Sequence, residues 1–178
     1  MLIRKAQAPD ALAIAKVHVD SWRTTYAGIV SSEFMAALSY ERREKMWSGV
    51  LSSPAGQSFT YVAETPGRAI VGFANAGPER EGDPTFKGEI YALYLLQSHQ
   101  RQGIGQMLFR ASVTELEQGG LTSLLIWVLA VNPARKFYEA LGGKYLREKD
   151  IEIGDQKLVE VAYGWNDTRA LFQDETPP

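Results

Sequence analysis

An apolar strand that runs straight into a glycine turn most limits the folds open to this chain. Gly88-Glu89-Ile90-Tyr91-Ala92-Leu93-Tyr94-Leu95-Leu96 reads as the strand, Gln97-Ser98-His99 follows, and Gln100-Arg101-Gln102-Gly103-Ile104-Gly105-Gln106-Met107-Leu108-Phe109 opens a helix. The first N–H groups of a helix have no intrahelical partner and sit at the positive end of its dipole, so such a junction cradles an anion. Glycine at 103 and 105 keeps Cβ atoms away from a bulky pyrophosphate. The fold must therefore be one in which a strand delivers a phosphate-bearing molecule to a helix start.

Local residues separate the phosphate-binding classes. No Lys-Ser or Lys-Thr follows a spaced glycine pair, which removes the P-loop. A dinucleotide fingerprint needs a third glycine where Leu108 stands, and an acid about 20 positions on, where the run Leu121 to Val128 ends in Leu129-Ala130-Val131-Asn132. What remains, Gln100 to Gly105 as Gln/Arg-x-x-Gly-x-Gly/Ala after a strand, resembles the acetyl-coenzyme A motif of the GNAT-type N-acetyltransferases. Asn132-Pro133-Ala134-Arg135-Lys136-Phe137-Tyr138-Glu139-Ala140-Leu141-Gly142-Gly143-Lys144 is similar to that family's second signature, at the right spacing. Leu2-Ile3-Arg4-Lys5-Ala6 with Pro9-Asp10 resembles its opening strand and helix.

Composition narrows the class independently. A chain of 178 residues with 45% hydrophobic content can bury a core unaided. It has no cysteine, which excludes disulfides, thiolate metal sites and cysteine nucleophiles; no metal is expected. The absence is compatible with a cytoplasmic location. No apolar run approaches a membrane span and Met1-Leu2-Ile3 leads into a strand, so a soluble, unprocessed protein with no membrane partner is expected. A net charge of −2 supplies no basic field for nucleic acid and suits a cationic amine.

Periodicity gives an alternating order of elements. Ala11, Ile14, Ala15, His18 and Trp22 share a helical face, which predicts a helix from 9 to about 26. Gly28 separates it from a second helix over about 32–51, carrying Phe34, Leu38, Met46 and Trp47. Phe59 to Glu64 and Ala69 to Ala74 read as strands around Thr65-Pro66-Gly67. Residues 77–88 read as a loop, and the helix with Ile104, Met107, Leu108 and Ala111 ends at Gly119-Gly120. Lys144 to Lys149 and Lys157 to Gly164 form a hairpin around Gly154-Asp155, and the tail from Asp167 is expected to be mobile.

The resemblance implies a single α/β (α+β) domain over 1–166. It would be a twisted, mostly antiparallel mixed sheet of about six to seven strands flanked by about four helices, with a splayed central strand pair admitting coenzyme A. It also implies direct acetyl transfer to a primary amine, and it leaves a homodimer open. Cofactor contacts fall on Leu93, Leu95, Gln100, Arg101, Gln102, Gly103, Ile104, Gly105, Asn132, Arg135 and Tyr138. Tyr138 matches the tyrosine that protonates the departing thiolate; packing beside Phe137 is the alternative. Asn132 matches the pantetheine contact, and an Asn-Pro pair also caps a helix. Many relatives carry a cation at Gln102, so phosphate binding would rest more on backbone amides.

Thioester aminolysis needs a neutral amine, yet a lysine-like amine is only ~0.1% neutral at pH 7, a penalty of roughly 4 kcal/mol. Glu89 is the candidate base, since strand alternation sets Glu89, Tyr91 and Leu93 on one face; a solvated edge carboxylate is the alternative. Trp22, Tyr26, Glu89 and Tyr91 are candidate acceptor contacts, with packing of the helices on the sheet as the alternative for Trp22 and Tyr26. His18 reads as a core histidine and His99 as a surface one. Trp22-Arg23-Thr24-Thr25-Tyr26-Ala27-Gly28 resembles a bacterial branch that acetylates varied small amines. Polyamines, aminoglycosides, amino acids, peptide N-termini and lysines stay open as acceptors, and a non-catalytic coenzyme A-binding regulator is the competing class.

Overall fold

The computed structural model describes residues 1–53 and 57–172. Its strands are β1 (Leu2–Lys5), β2 (Phe59–Glu64), β3 (Ile70–Pro78), β4 (Gly88–Leu95), β5 (Leu124–Leu129), β6 (Lys144–Ile153) and β7 (Gln156–Trp165). Helices are α1 (Ala11–Thr25), α2 (Ser32–Ala36), α3 (Tyr40–Ser52), α4 (Ile104–Gln118) and α5 (Arg135–Ala140). One seven-stranded sheet runs β1-β2-β3-β4-β5-β7-β6. Every neighbouring pair is antiparallel except β4 and β5, which are parallel. A parallel pair needs a crossover, and α4 supplies it.

The two sheet faces bury different helices. On one, Ile90, Phe109, Val113, Leu116, Leu124, Ile126 and Val128 join α4 and α5 to the sheet. On the other, Ile14, Ala15, Val17, Trp47, Val62 and Phe73 join α1 and α3. Helix α1 has the expected face, with Ala11, Ile14, Ala15 and His18 all buried.

Several boundaries differ from the sequence reading, each for a local reason. The helix expected over 32–51 is two helices, because Ser31 caps one by accepting Phe34 N–H and Ser39 caps the next by accepting Arg42 N–H. Residues 8–10 form a separate 3-10 turn ahead of α1. Strand β3 extends to Pro78 and pairs it with Gly88, which shortens the expected 77–88 loop to 79–87. Strand β5 begins at Leu124 rather than Leu121, since Leu121 N–H closes on Leu116 O at the helix end. The β6–β7 hairpin reaches Ile153 and Gln156, leaving Gly154-Asp155 as a two-residue turn. The expected mobile tail is docked over 167–172: Thr168 N–H bonds Thr122 O at 2.8 Å, and Leu171 and Phe172 pack on the core. The rest of that tail lies outside the described residues.

His18 is a core histidine, as its helix face implies. Its Nδ1 accepts Trp47 Nε1–H at 3.2 Å and its ring stacks on Tyr94 at 4.9 Å. Burial, with a smaller contribution from Arg43, lowers its pKa to about 3. The fold thus holds it neutral, and stability is given up as pH falls from the ordinary value near 6.5 toward 3, where only the unfolded chain gains the proton. His18→Phe keeps the ring but leaves the indole N–H unpaired, so it should cost about 1–3 kcal/mol at pH 7.5. Urea melts should then show wild type losing stability more steeply than the variant below pH 6.5. Parallel pH curves would contradict a neutral His18.

Candidate active site at the strand split

Strands β4 and β5 pair only through Gly88–Leu124, Glu89–Leu125 and Ile90–Ile126. Beyond Ile90 they part, while β4 stays bonded to β3 and β5 to β7. The edge of β4 from Tyr91 to Leu95 that faces β5 therefore has no strand partner, an arrangement that an extended ligand can complete through its amides. A bulge sits where the parting begins. Asn75 pairs with Ala92 and Ala76 with Ile90, so Tyr91 is the extra residue.

That bulge corrects the expected alternation. Leu93 and Leu95 pack with Ile104 and Leu108 of α4, whereas Ala92 and Tyr94 pack toward α1 and α3. Ile90 also packs toward α4, so the phase shifts by one residue at Tyr91 and Glu89 does not share a face with Leu93. Tyr91 lies over Gly77, and its hydroxyl donates to Pro78 O. Burial first, and the Glu89 charge second, push it up to about 12.

The helix start at the end of β4 has a cradle's geometry. Gly103 caps α4 at φ +78°, a left-handed conformation that any Cβ would strain. Met107 N–H to Gly103 O (3.1 Å) closes the first turn, so the amides of Ile104, Gly105 and Gln106 lie ahead of the helical ladder. At Gly105 a Cβ would stand 3.4 Å from the Phe137 ring of α5, an ordinary contact, so packing alone does not demand glycine there. Gln100 Nε2 donates to Leu95 O and Gln102 Nε2 to Ser98 O, which means both side chains build the turn. Arg101 is exposed, at φ +61°.

The second signature converges on the same split. Asn132 Oδ1 accepts Ala134 N–H at 2.8 Å, and its Nδ2 donates to Tyr26 Oη at 3.0 Å. The Ala134 bond closes a turn just ahead of α5, whose own N-cap residue, Ala134, has no side-chain cap, and the Tyr26 bond ties Asn132 to the end of α1. Tyr138 is 6% exposed, packed among Val128, Phe137 and Tyr163. Burial and the neighbouring Tyr26 raise its pKa well above the ordinary phenol value, so its hydroxyl is a donor at neutral pH. Arg135 lies elsewhere: its Nε donates to Tyr163 Oη and its Nη1 to Ala130 O, pinning α5 to the sheet.

On the α1 side, Tyr26 is buried with Val30 and Leu129, and Trp22 meets it edge-on at 4.7 Å. Glu89 is 2% exposed and is neither solvated nor bare. Arg80 Nε and Nη2 take its two oxygens, and Arg80 N–H adds a third bond at 3.3 Å. Sequence reading missed Arg80, a loop residue that only the β3–β4 register brings to Glu89. It also missed Glu160, half-buried on β7, whose signal was one carboxylate inside Leu158-Val159-Glu160-Val161-Ala162. Burial raises the Glu160 pKa against the pull of Lys149. Among the described residues no group of His, Cys, Asp and Glu could hold a metal, and no helix is long and apolar enough to cross a membrane.

Known proteins are similar to this chain in sequence and in fold. The Acetyltransferase (GNAT) family matches residues 17–143. An uncharacterized N-acetyltransferase of Bacillus subtilis, YuaI, is 39% identical over 169 residues, covering 95% of each chain. A spermidine N(1)-acetyltransferase of Thermoplasma acidophilum is 23% identical over 163 residues, covering 90% of this chain and 96% of its own. In fold, the PaiA N-acetyltransferase of the same organism, solved with coenzyme A, superposes with a TM-score of 0.67 at 23% identity, over 89% of this chain and 96% of that one. With the glycine cradle, the split strands and the Asn-to-Tyr helix in one sheet, the chain belongs to the GNAT family of acetyl-CoA-dependent N-acetyltransferases.

Proposed function

We propose that the chain acetylates a primary amine of a small molecule by direct attack within a complex holding both substrates. The observation that carries this is the release of β4 from β5 after Ile90, next to a helix start whose amides lead into the opening. Acetyl-CoA supplies an activated acyl group as a thioester. Amides of 103–106, with Arg101, hold its phosphates, and the free edge of β4 around Leu93 and Leu95 binds its amide-bearing arm and faces the thioester oxygen with an N–H donor. Gln100 and Gln102 act by shaping the turn, and Arg135 by fixing α5.

Tyr138 delivers a proton to the departing sulfur, with Asn132 setting the start of its helix. Glu89 takes the proton of the incoming amine, directly or through water. Arg80 must then swing aside, which its 58% exposed side chain allows. Trp22, Tyr26 and Tyr91 wall the acceptor side with aromatic rings. A relative named for spermidine supports an aliphatic amine as the acceptor class.

Incubation with acetyl-CoA and a panel of primary amines, read by thiol release and product mass, tests the reading. Protein mass after acetyl-CoA alone should be unchanged, because the chain has no cysteine to carry the acetyl group. A stoichiometric acetyl adduct that chases into product would overturn direct transfer, and no release with any amine would favour a regulator.

Two variants separate the roles. Tyr138→Phe should keep cofactor affinity and lower turnover by about 10²–10⁴-fold, the range for a lost general acid; unchanged turnover where chemistry limits the rate would return Tyr138 to packing. Glu89→Gln should depress turnover most near neutral pH and recover at high pH, where the amine is already neutral. A loss uniform across pH would leave Glu89 a tie for Arg80 alone.

A further inference from the structure

The first residue of β5 past its last pairing with β4 is Trp127, and a cation already lies on its ring. Lys149 Nζ stands 4.1 Å from the ring centroid, and the Arg147 guanidinium stands 5.4 Å away. The same Nζ bonds Glu81 and lies 3.4 Å from Glu160. Trp127 pairs with Ala162 and Leu129 with Glu160, so strand alternation places Trp127, Leu129, Ala162 and Glu160 on one face. That face is the acceptor side, since Leu129 packs with Tyr26 and Trp22.

An indole face and a half-buried carboxylate closing on one ammonium form a receptor for an alkylammonium. Across the split, Tyr91 and Glu89 repeat the arrangement: Arg80 lies 4.1 Å over the Tyr91 ring and pairs with Glu89. The two residues that flank the opening are thus both aromatic, each beside a carboxylate, and each is covered by a cation of the chain itself. Lys149 comes from an edge strand on a flexible four-carbon stem, so it can leave. Burial and the charges of Glu81 and Glu89 work against the ionised form of Glu160, and Lys149 works for it. Another cation in the same place would do the same.

We propose that Trp127 and Glu160 bind a second ammonium of the acceptor, which makes the acceptor a linear di- or polyamine, and that Lys149 occupies this place until the acceptor displaces it. The proposal rests on the amine-acetylation reading above and adds its substrate class. One amine meets Glu89 at the opening while the other is held at Trp127, so Glu160 is a specificity residue and takes no proton in the transfer.

The test compares 1,4-diaminobutane with 1-aminobutane, using calorimetric binding to the coenzyme A-loaded protein and thiol release in parallel. Wild type should prefer the diamine by about ten- to a hundred-fold, the worth of one charge-assisted contact. Glu160→Gln should remove that preference and leave monoamine binding unchanged. Lys149→Met keeps the stem on Trp127 and removes the competing charge, so it should tighten diamine binding. Equal affinity of wild type for both amines, an equal loss for both in Glu160→Gln, or weaker diamine binding in Lys149→Met would each overturn the proposal. Thiol release is read separately: diamine binding that depends on Glu160, with no release, would uphold this site and overturn the acetyl-transfer reading instead.

Discussion

Three paired residues, Gly88 to Ile90 against Leu124 to Ile126, are all that join the halves of the sheet, and the site depends on the pairing stopping there. Each strand is held on its far side, β4 by β3 and β5 by β7, so parting does not unravel either. The bulge at Tyr91 turns β4 at that point, and Tyr26, reaching across from the end of α1, lies against Leu129 and takes the Asn132 amide. There a buried amide donates to a buried phenol. From Tyr91 to Leu95 the edge of β4 toward β5 is left without a strand partner.

Charge around loop 79–87 follows one rule. Carboxylates of low exposure, Glu89 and Asp83 among them, are covered by more exposed cations, Arg80 and Arg147. Loop 79–87 is held over the sheet by these pairs and by Glu81 with Lys149. A buried carboxylate needs a countercharge, and an exposed, flexible one can exchange with a substrate's.

What was legible in the sequence is what short spacing controls. The strand, glycine turn and α4 lie in one continuous stretch from Gly88 to Gln118, and the left-handed cap at Gly103 needs no tertiary context. A mixed, mostly antiparallel sheet of six to seven strands followed from resemblance, and the caps at Ser31 and Ser39 are local signals that apolar spacing hides. Less legible was whatever depends on register. One bulge at Tyr91 reversed the face assigned to Leu93, and pairing across a hairpin set Arg80 on Glu89. The Tyr26–Asn132 bond joins residues 106 apart, and nothing local announces it. Thr168, docked on Thr122, shows the same limit at the tail.

In the proposed mode of binding, coenzyme A completes the β4 edge and caps α4. Amide hydrogen exchange with and without acetyl-CoA measures this directly, because it reports protection residue by residue. The account predicts added protection in Tyr91 to Leu95 and in Gly103 to Gln106, with β1 and the β2–β3 hairpin unchanged. Binding that protects neither segment, or that protects the β6–β7 hairpin alone, would contradict it.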